Sequence, residues 1–286
     1  MIMTDKTKLP MSETTPLIDE EGMKKAMKLS TPTLKVALYL LRITHLNKVY
    51  QASNAPDGFG VIRQCIDNQN IRMRFSEEDL QHIPKSGPFI VIGNHPFGFL
   101  DGIQLLSDIG SKRPHFKVTA NFLLGFILPL KNHFITVNPF EDAGPKNLKG
   151  SEQVLNHLAE GHGVGIYPAG EVSTYYDGKK HVEDKEWGLS AIKLIQKANV
   201  PVIPAYVHGI NSPSFHWLGK LNPLLRTLRI PVEFLKKTNK HVPVSMDQAI
   251  SAEEIQKFDD IQELSDFLRK KVYQQADKFK GTPPTQ

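Results

Sequence analysis

The sequence predicts an α/β fold: a central mixed, mostly parallel sheet flanked by helices, with a helical segment ahead of it. Two observations carry this expectation. Short apolar runs at 88–92, 135–137, 164–167 and 200–207 have the β-branched content of strands buried on both faces. Segments with apolar residues three and four apart alternate with those runs, which is how crossover units build a parallel sheet. No internal repeat interrupts the pattern, so one layered α/β unit is expected.

Taken in order, residues 1–22 are polar, carry Thr, Ser, Pro and acids without period, and read as a disordered leader. From 23 the pattern turns helical: Leu34, Ala37, Leu38 and Leu41 share a face, with Lys35, Arg42 and Lys48 between them, up to residue 50. Such a basic amphipathic helix either docks on its own domain or lies in a membrane interface. Residues 58–68 suggest a second helix, 71–75 alternate like an edge strand, and Ser76 opens a helical turn. An N-terminal helical segment is therefore expected over 23–83, then one domain over 84–281 and a disordered tail over 282–286.

Within that domain, strand 88–92 leads to a helix at 103–109 and a dense apolar segment at 116–134. A short strand, 135–137, precedes a polar linker; Ser151 caps a helix with Val154, Leu155 and Leu158 on its apolar face, ended by Gly161. Strand 164–167 runs into Pro168-Ala-Gly-Glu-Val-Ser173, and 174–188 is an aperiodic charged loop. Helix 189–198 and strand 200–207 follow, then an irregular insertion at 212–228 and strand candidates at 232–235 and 242–246. Ser251 and Glu254 form a capping box on a closing helix carrying Ile255, Phe258, Ile261, Leu264, Phe267, Leu268 and Val272.

Composition narrows the classes. The net charge of +5 is mild; it suits an anionic lipid surface or an acidic carrier without requiring either. One cysteine, Cys65, excludes an internal disulfide, and its apolar flanks favour a buried structural thiol. No Cys/His metal-ligand spacing, phosphate-binding glycine loop or Gly-x-Ser-x-Gly elbow occurs, so no metal, nucleotide, nucleic-acid or serine-hydrolase chemistry is expected. The first twenty residues lack the apolar core of a signal peptide, and the best apolar stretch is short of a membrane span. A cytoplasmic location is expected.

The stretch 91–102 reads Val-Ile-Gly-Asn-His-Pro-Phe-Gly-Phe-Leu-Asp-Gly. It places Asn94 and His95 at the carboxyl end of a buried strand, where open α/β sheets collect reactive groups. Asp101 follows, with Pro96 and Gly98 between them to turn the chain back. A histidine paired with a carboxylate is the arrangement of a general base held in one tautomer.

Four blocks in order resemble the glycerolipid acyltransferase superfamily: Asn94-His95 with Asp101, Phe134-Ile-Thr-Val-Asn-Pro-Phe140, Tyr167-Pro-Ala-Gly-Glu-Val172 and Val200-Pro-Val-Ile-Pro204. The resemblance spans about residues 84–212. Five residues separate His95 from Asp101 where the superfamily usually has four. Ala169 stands where a Glu is usual, and Val172 or Ser173 where an Arg is. Both variations resemble the branch often labelled "hemolysin", related to the acyltransferases of ornithine and glycine lipids.

The resemblance implies O-acyl transfer from an acyl thioester, carried by acyl carrier protein or coenzyme A, to a lysolipid hydroxyl at the inner membrane face. No bound cofactor is implied. His95 would be the general base and Asp101 its partner. Gly170 and Glu171 stand at a second strand end, where Glu171 either binds the acceptor or is a plain loop carboxylate. Asn138 would line the acceptor site, and Asn94 either orients the turn or donates to the oxyanion. Segment 116–134 is core, an acyl-chain groove or a docking face. Loss of the usual Arg weakens the case for a glycerol-phosphate acceptor, because Arg is best shaped to grip phosphate. Lysophosphatidic acid as acceptor, or a non-catalytic lipid-binding protein on the same fold, are the alternatives.

Overall fold

A computed structural model describes residues 11–40, 42–137, 145–176 and 181–286. Its centre is a six-stranded sheet made of β1 (Phe89–Gly93), β2 (Lys117–Asn121), β3 (Phe134–Val137), β4 (Gly163–Ile166), β5 (Val202–Val207) and β6 (Val244–Met246). The spatial order is β3-β2-β4-β1-β5-β6, parallel throughout except for the antiparallel β5–β6 pair. Ile90 of β1 sits opposite Val164 on one side and Val202 on the other. Every residue of β1 is buried, as an unbroken apolar run in a parallel sheet requires.

The principal helices around the sheet are α1 (Thr31–Leu40), α2 (Ile43–Gln51), α3 (Gly58–Asn68), α4 (Phe99–Gly110), α5 (Pro145–Ala159), α6 (Leu189–Ala198), α7 (Pro213–Leu221), α8 (Pro223–Leu228), α9 (Ile230–Lys236) and α10 (Ile261–Tyr273). Alternation along β1 sorts them into two layers. Phe89 and Val91 pack with Ile62 and Ile66 of α3 and Ile103 and Leu106 of α4. Ile90 and Ile92 face the other way, onto Val154 of α5, Ile192 of α6 and Leu264 and Leu268 of α10. The mixed, mostly parallel sheet flanked by helices is the architecture expected.

Several local expectations give way to tertiary contacts. The helical pattern over 23–50 is broken by left-handed residues at Lys28 and Arg42, giving Glu20–Met27, α1 and α2. Residues 11–22 are not a loose leader: Tyr50 donates its hydroxyl proton to the Met11 and Thr15 carbonyls, and Ile18 bridges to Ile127. The tail is docked too, because Ile210 N–H donates to the Thr285 carbonyl. The edge strand at 71–75 reduces to one bridge, Arg72 to His241.

Residues 232–235 lie in α9 rather than a strand. Pro231 in its first turn and a buried Glu233 bonded to Ser212 outweigh the strand preference of Val and Phe. Helix α5 starts at Pro145, placing Ser151 inside it, and the closing helix divides into Ala252–Ile255 and an α10 capped by Asp260. Of the apolar segment 116–134, Phe116, Val118, Ala120, Leu130 and Phe134 belong to the core.

Candidate active site

The carboxyl ends of β1, β4 and β5 converge on one region. β1 stops at Gly93, where a Cβ would come within 3.2 Å of the Ala205 carbonyl oxygen of β5. Asn94 then exchanges two hydrogen bonds with Val207: its Nδ2 donates to the carbonyl at 2.9 Å, and its Oδ1 accepts the N–H at 2.8 Å. The side chain thus stands in for one more rung of the sheet. Neither bond is directed at His95.

From there the chain turns through Pro96, Phe97 and Gly98 into α4. Gly98 has φ 76°, which only glycine adopts readily. Asp101, in the first turn of α4 and 1% exposed, reaches back so that Oδ2 accepts the Phe97 and Gly98 N–H groups, both at 2.9 Å. The same oxygen lies 3.1 Å from Nδ1 of His95. The five-residue spacer therefore closes the pair through a turn and a helix N-terminus. The His–Asp contact is close but not aligned as a hydrogen bond; catalytic pairs commonly tighten only when substrate binds.

The His95 ring stacks on Tyr167 at the end of β4, with centroids 4.1 Å apart and planes 23° from parallel. Burial, with the charges of Asp101 and Asp184 adding to it, holds the Tyr167 hydroxyl well above its ordinary range, so Tyr167 acts as a neutral platform. Nε2 is the nitrogen on the far side of the ring from Asp101. The side chain is 18% exposed.

Asp184, in the stretch read as an aperiodic loop, was not singled out by the sequence. It is 1% exposed; Oδ1 accepts the His95 backbone N–H at 3.1 Å and the Ser173 hydroxyl at 2.5 Å, and Oδ2 accepts Trp187 Nε1–H at 3.2 Å. Ser173 N–H in turn donates to the His95 carbonyl. Burial pushes the Asp184 carboxyl up, and these hydrogen bonds pull against it. One acid among Glu183, Lys185 and Glu186 carries no local signal of such a role.

Gly170 has φ 69° and closes a tight turn, its N–H donating to the Tyr167 carbonyl. Glu171 is held by cations: Arg226 Nη2 donates to it at 2.5 Å and Lys185 Nζ is 3.6 Å away. Arg226, on α8 in the insertion, is buried over the ring of Phe215. A guanidinium thus meets this block from another part of the chain, which its sequence position did not reveal. Just before the insertion, Asn211 Nδ2 donates to the Pro96 carbonyl of the turn, and buried His216 inside the insertion bridges Thr174 and the Asn211 carbonyl. Asn138 lies outside the described residues.

Elsewhere, burial pushes the Cys65 thiol up to about 11, leaving it protonated at neutral pH. The fold brings the ligand atoms of His157, Glu160 and His162, a group not singled out in the sequence, within 4.8 Å of one another. That group precedes β4, at the opposite end of the strand from Tyr167. Among the described residues no helix is long and apolar enough to cross a membrane.

The family described as acyltransferase matches residues 34–280. A lyso-glycine lipid O-acyltransferase from Phocaeicola vulgatus is 22% identical over 249 residues, covering 83% of this chain and 86% of that protein. One of the same name from Bacteroides thetaiotaomicron is 23% identical over 190 residues, covering 65% and 67%. The crystal structure of the 1-acyl-sn-glycerophosphate acyltransferase PlsC from Thermotoga maritima superposes with a TM-score of 0.51 at 15% identity, over 94% of this chain and 92% of that one. That likeness shows the fold. The family match takes in both halves of the His95–Asp101 pair and the whole sheet, and the chain belongs to the acyltransferase family.

Proposed function

We propose that the protein moves a fatty acyl group from an acyl thioester to the hydroxyl of a lyso-glycine lipid, with His95 as general base. The observation that carries this reading is the orientation of His95, whose Nδ1 faces buried Asp101 so that Nε2 is the nitrogen left for the acceptor. In the reaction, Nε2 takes the hydroxyl proton as the oxygen attacks the thioester carbonyl. Asp101 stabilises the imidazolium that forms. Collapse of the tetrahedral intermediate breaks the C–S bond, and the imidazolium returns the proton to the departing thiolate. No acyl-enzyme is needed.

The glycine-lipid acceptor is favoured over lysophosphatidic acid on two grounds. The relatives from Phocaeicola vulgatus and Bacteroides thetaiotaomicron carry that substrate in their names. The guanidinium nearest the third block, Arg226, is already neutralised by Glu171. Acyl carrier protein and coenzyme A are both candidate donors, and the basic charge of the chain suits either. A peripheral seat on the inner membrane face is supported by Trp217, Leu221 and Leu225, exposed at 61%, 61% and 42% on α7 and α8, which follow the Asn211 that holds the Pro96 carbonyl.

The test is acyl transfer by the purified protein, read by mass spectrometry. Acyl carrier protein and coenzyme A thioesters are each offered to lyso-glycine lipid, lyso-ornithine lipid and lysophosphatidic acid. A diacylated glycine lipid that disappears in His95→Ala is expected. Product from lysophosphatidic acid alone would overturn the acceptor, and undiminished activity in His95→Ala would overturn the mechanism.

A further inference from the structure

Helix α9 lies against the turn that carries the dyad, and its contacts follow helical spacing. A Cβ on Gly98 would come 3.2 Å from Ile230 Cδ1, Phe99 meets Phe234 edge-on at 6.1 Å, and Lys237 Nζ sits 4.5 Å over the Phe97 ring. Residues 230, 234 and 237 are separated by four and three, so a single face touches three consecutive residues of the turn. Two of them, Phe97 and Gly98, supply the N–H groups that hold Asp101. Phe97 is also pinned from another direction, since a Cβ on Gly209 would fall 2.1 Å from its ring.

Lys237 is unusual in its own right. It is 1% exposed and its Nζ has no hydrogen-bond partner. A buried ammonium is costly unless other charge or a ring face compensates it. Glu233, one turn earlier, is taken up elsewhere: it accepts the Ser212 N–H and hydroxyl and the Lys236 ammonium, with Arg229 3.5 Å away. The ring of Phe97, in the turn ahead of α4, faces Lys237, and the charge of Asp101 on α4 acts on its ammonium.

We propose that Lys237 is a positioning residue of the dyad: its ammonium, seated on Phe97, fixes the turn that holds Asp101 and sets the field across the His95–Asp101 pair. The proposal rests on the reading of that pair as catalytic. Burial pushes the Lys237 ammonium down to about 8; Glu233 and Asp101 act to raise it, and Lys236 and Lys240 to lower it. Buried His216 of α7 also feels its charge. A positive charge here opposes formation of a second one on the His95 ring. Removing it makes the imidazolium easier to form, so the acidic limb of the pH–rate profile moves to higher pH. For unit charges on the order of 10 Å apart at an effective dielectric of about 20, the movement is about one unit.

The experiment compares wild type with Lys237→Met, which keeps the stem and deletes the charge, and with Lys237→Arg, which restores a cation. Two readouts are taken: kcat/KM against pH, and titration of the His95 ring by proton–nitrogen NMR, its signal assigned through His95→Ala. In Lys237→Met both are expected to move up together, with about a tenfold loss of kcat/KM on the acidic limb and little change in KM; Lys237→Arg is expected to reverse the movement. Lys237→Gln replaces the Met variant if that fails to fold. A folded charge-deleted variant whose limb and ring titration stay at wild-type pH would overturn the proposal, leaving Lys237 a packing residue. Full activity in His95→Ala would instead overturn the catalytic reading, while the NMR titration would still decide whether Lys237 acts on that ring.

Discussion

Gly98 joins backbone geometry to catalysis most directly, and Gly98→Ala tests that link. Its φ of 76° and ψ of −113° lie where a side chain costs about 1–3 kcal/mol. The new Cβ would also come 2.9 Å from Val172 Cγ2 and 3.2 Å from Ile230 Cδ1. Forcing a methyl into such a contact adds roughly 1–3 kcal/mol. The sum, about 2–6 kcal/mol, is large against the marginal stability of an ordinary domain. Relief would come by moving the turn, which takes the Phe97 and Gly98 N–H groups off Asp101. A displacement near 1 Å can lower a catalytic rate about a hundredfold. Gly87→Ala is the control: φ is 79°, but nothing lies within 4 Å of the added Cβ, so it carries backbone strain alone, far from the dyad. Denaturant unfolding and kcat are measured for both. Gly98→Ala is expected to lose the larger stability and most of its turnover, Gly87→Ala about 1 kcal/mol and no turnover. Equal effects in the two variants would show that the turn tolerates movement and that the dyad does not depend on it.

Two other changes test the supports of the site. Asp184→Asn leaves at least one of three donors, the His95 N–H, the Ser173 hydroxyl or the Trp187 Nε1–H, facing an amide N–H in the interior; a loss of about 2–4 kcal/mol is expected by chemical denaturation, with reduced kcat, and wild-type values in both would refute the support role. Asp108, which accepts the Phe75 N–H and Gln104 Nε2–H, has its carboxyl pushed by burial up to about 6. A carboxyl with a raised folded pKa contributes stability that is complete below its unfolded pKa near 4 and is lost as pH rises through about 6. Asp108→Asn, measured by unfolding at pH 4 and pH 8, should therefore compare better with wild type at pH 8 by up to about 2–3 kcal/mol, and a difference independent of pH would refute the raised value.

What could be read in advance divides along sequence distance. β1 was legible because a central parallel strand is apolar on both faces and needs no partner to be recognised. His95 and Asp101 were legible because both belong to one turn and the helix start that follows it. Asp184, Arg226 and Lys237 were not, since each is one ordinary charge in a charged stretch until the fold brings it to a residue far away: His95 is 89 positions from Asp184, and Glu171 is 55 from Arg226. The misreading of 232–235 has the same origin. A run of Val, Glu, Phe and Leu fits a strand by preference, yet Glu233 is buried and bonded to Ser212, 21 residues back, a contact that local pattern does not encode.

The boundary is informative about how this site is made. The His95–Asp101 pair is local, so a short motif holds it in register. Its supports arrive from the segment after β5 and from α9 and its cap: Asn211 on the Pro96 carbonyl, Ile230 against Gly98, and Lys237 on the Phe97 ring. A five-residue spacer gives the turn more freedom than a four-residue one, and these three contacts remove it from outside. Substitutions in 211–237 can therefore change the rate without touching the motif.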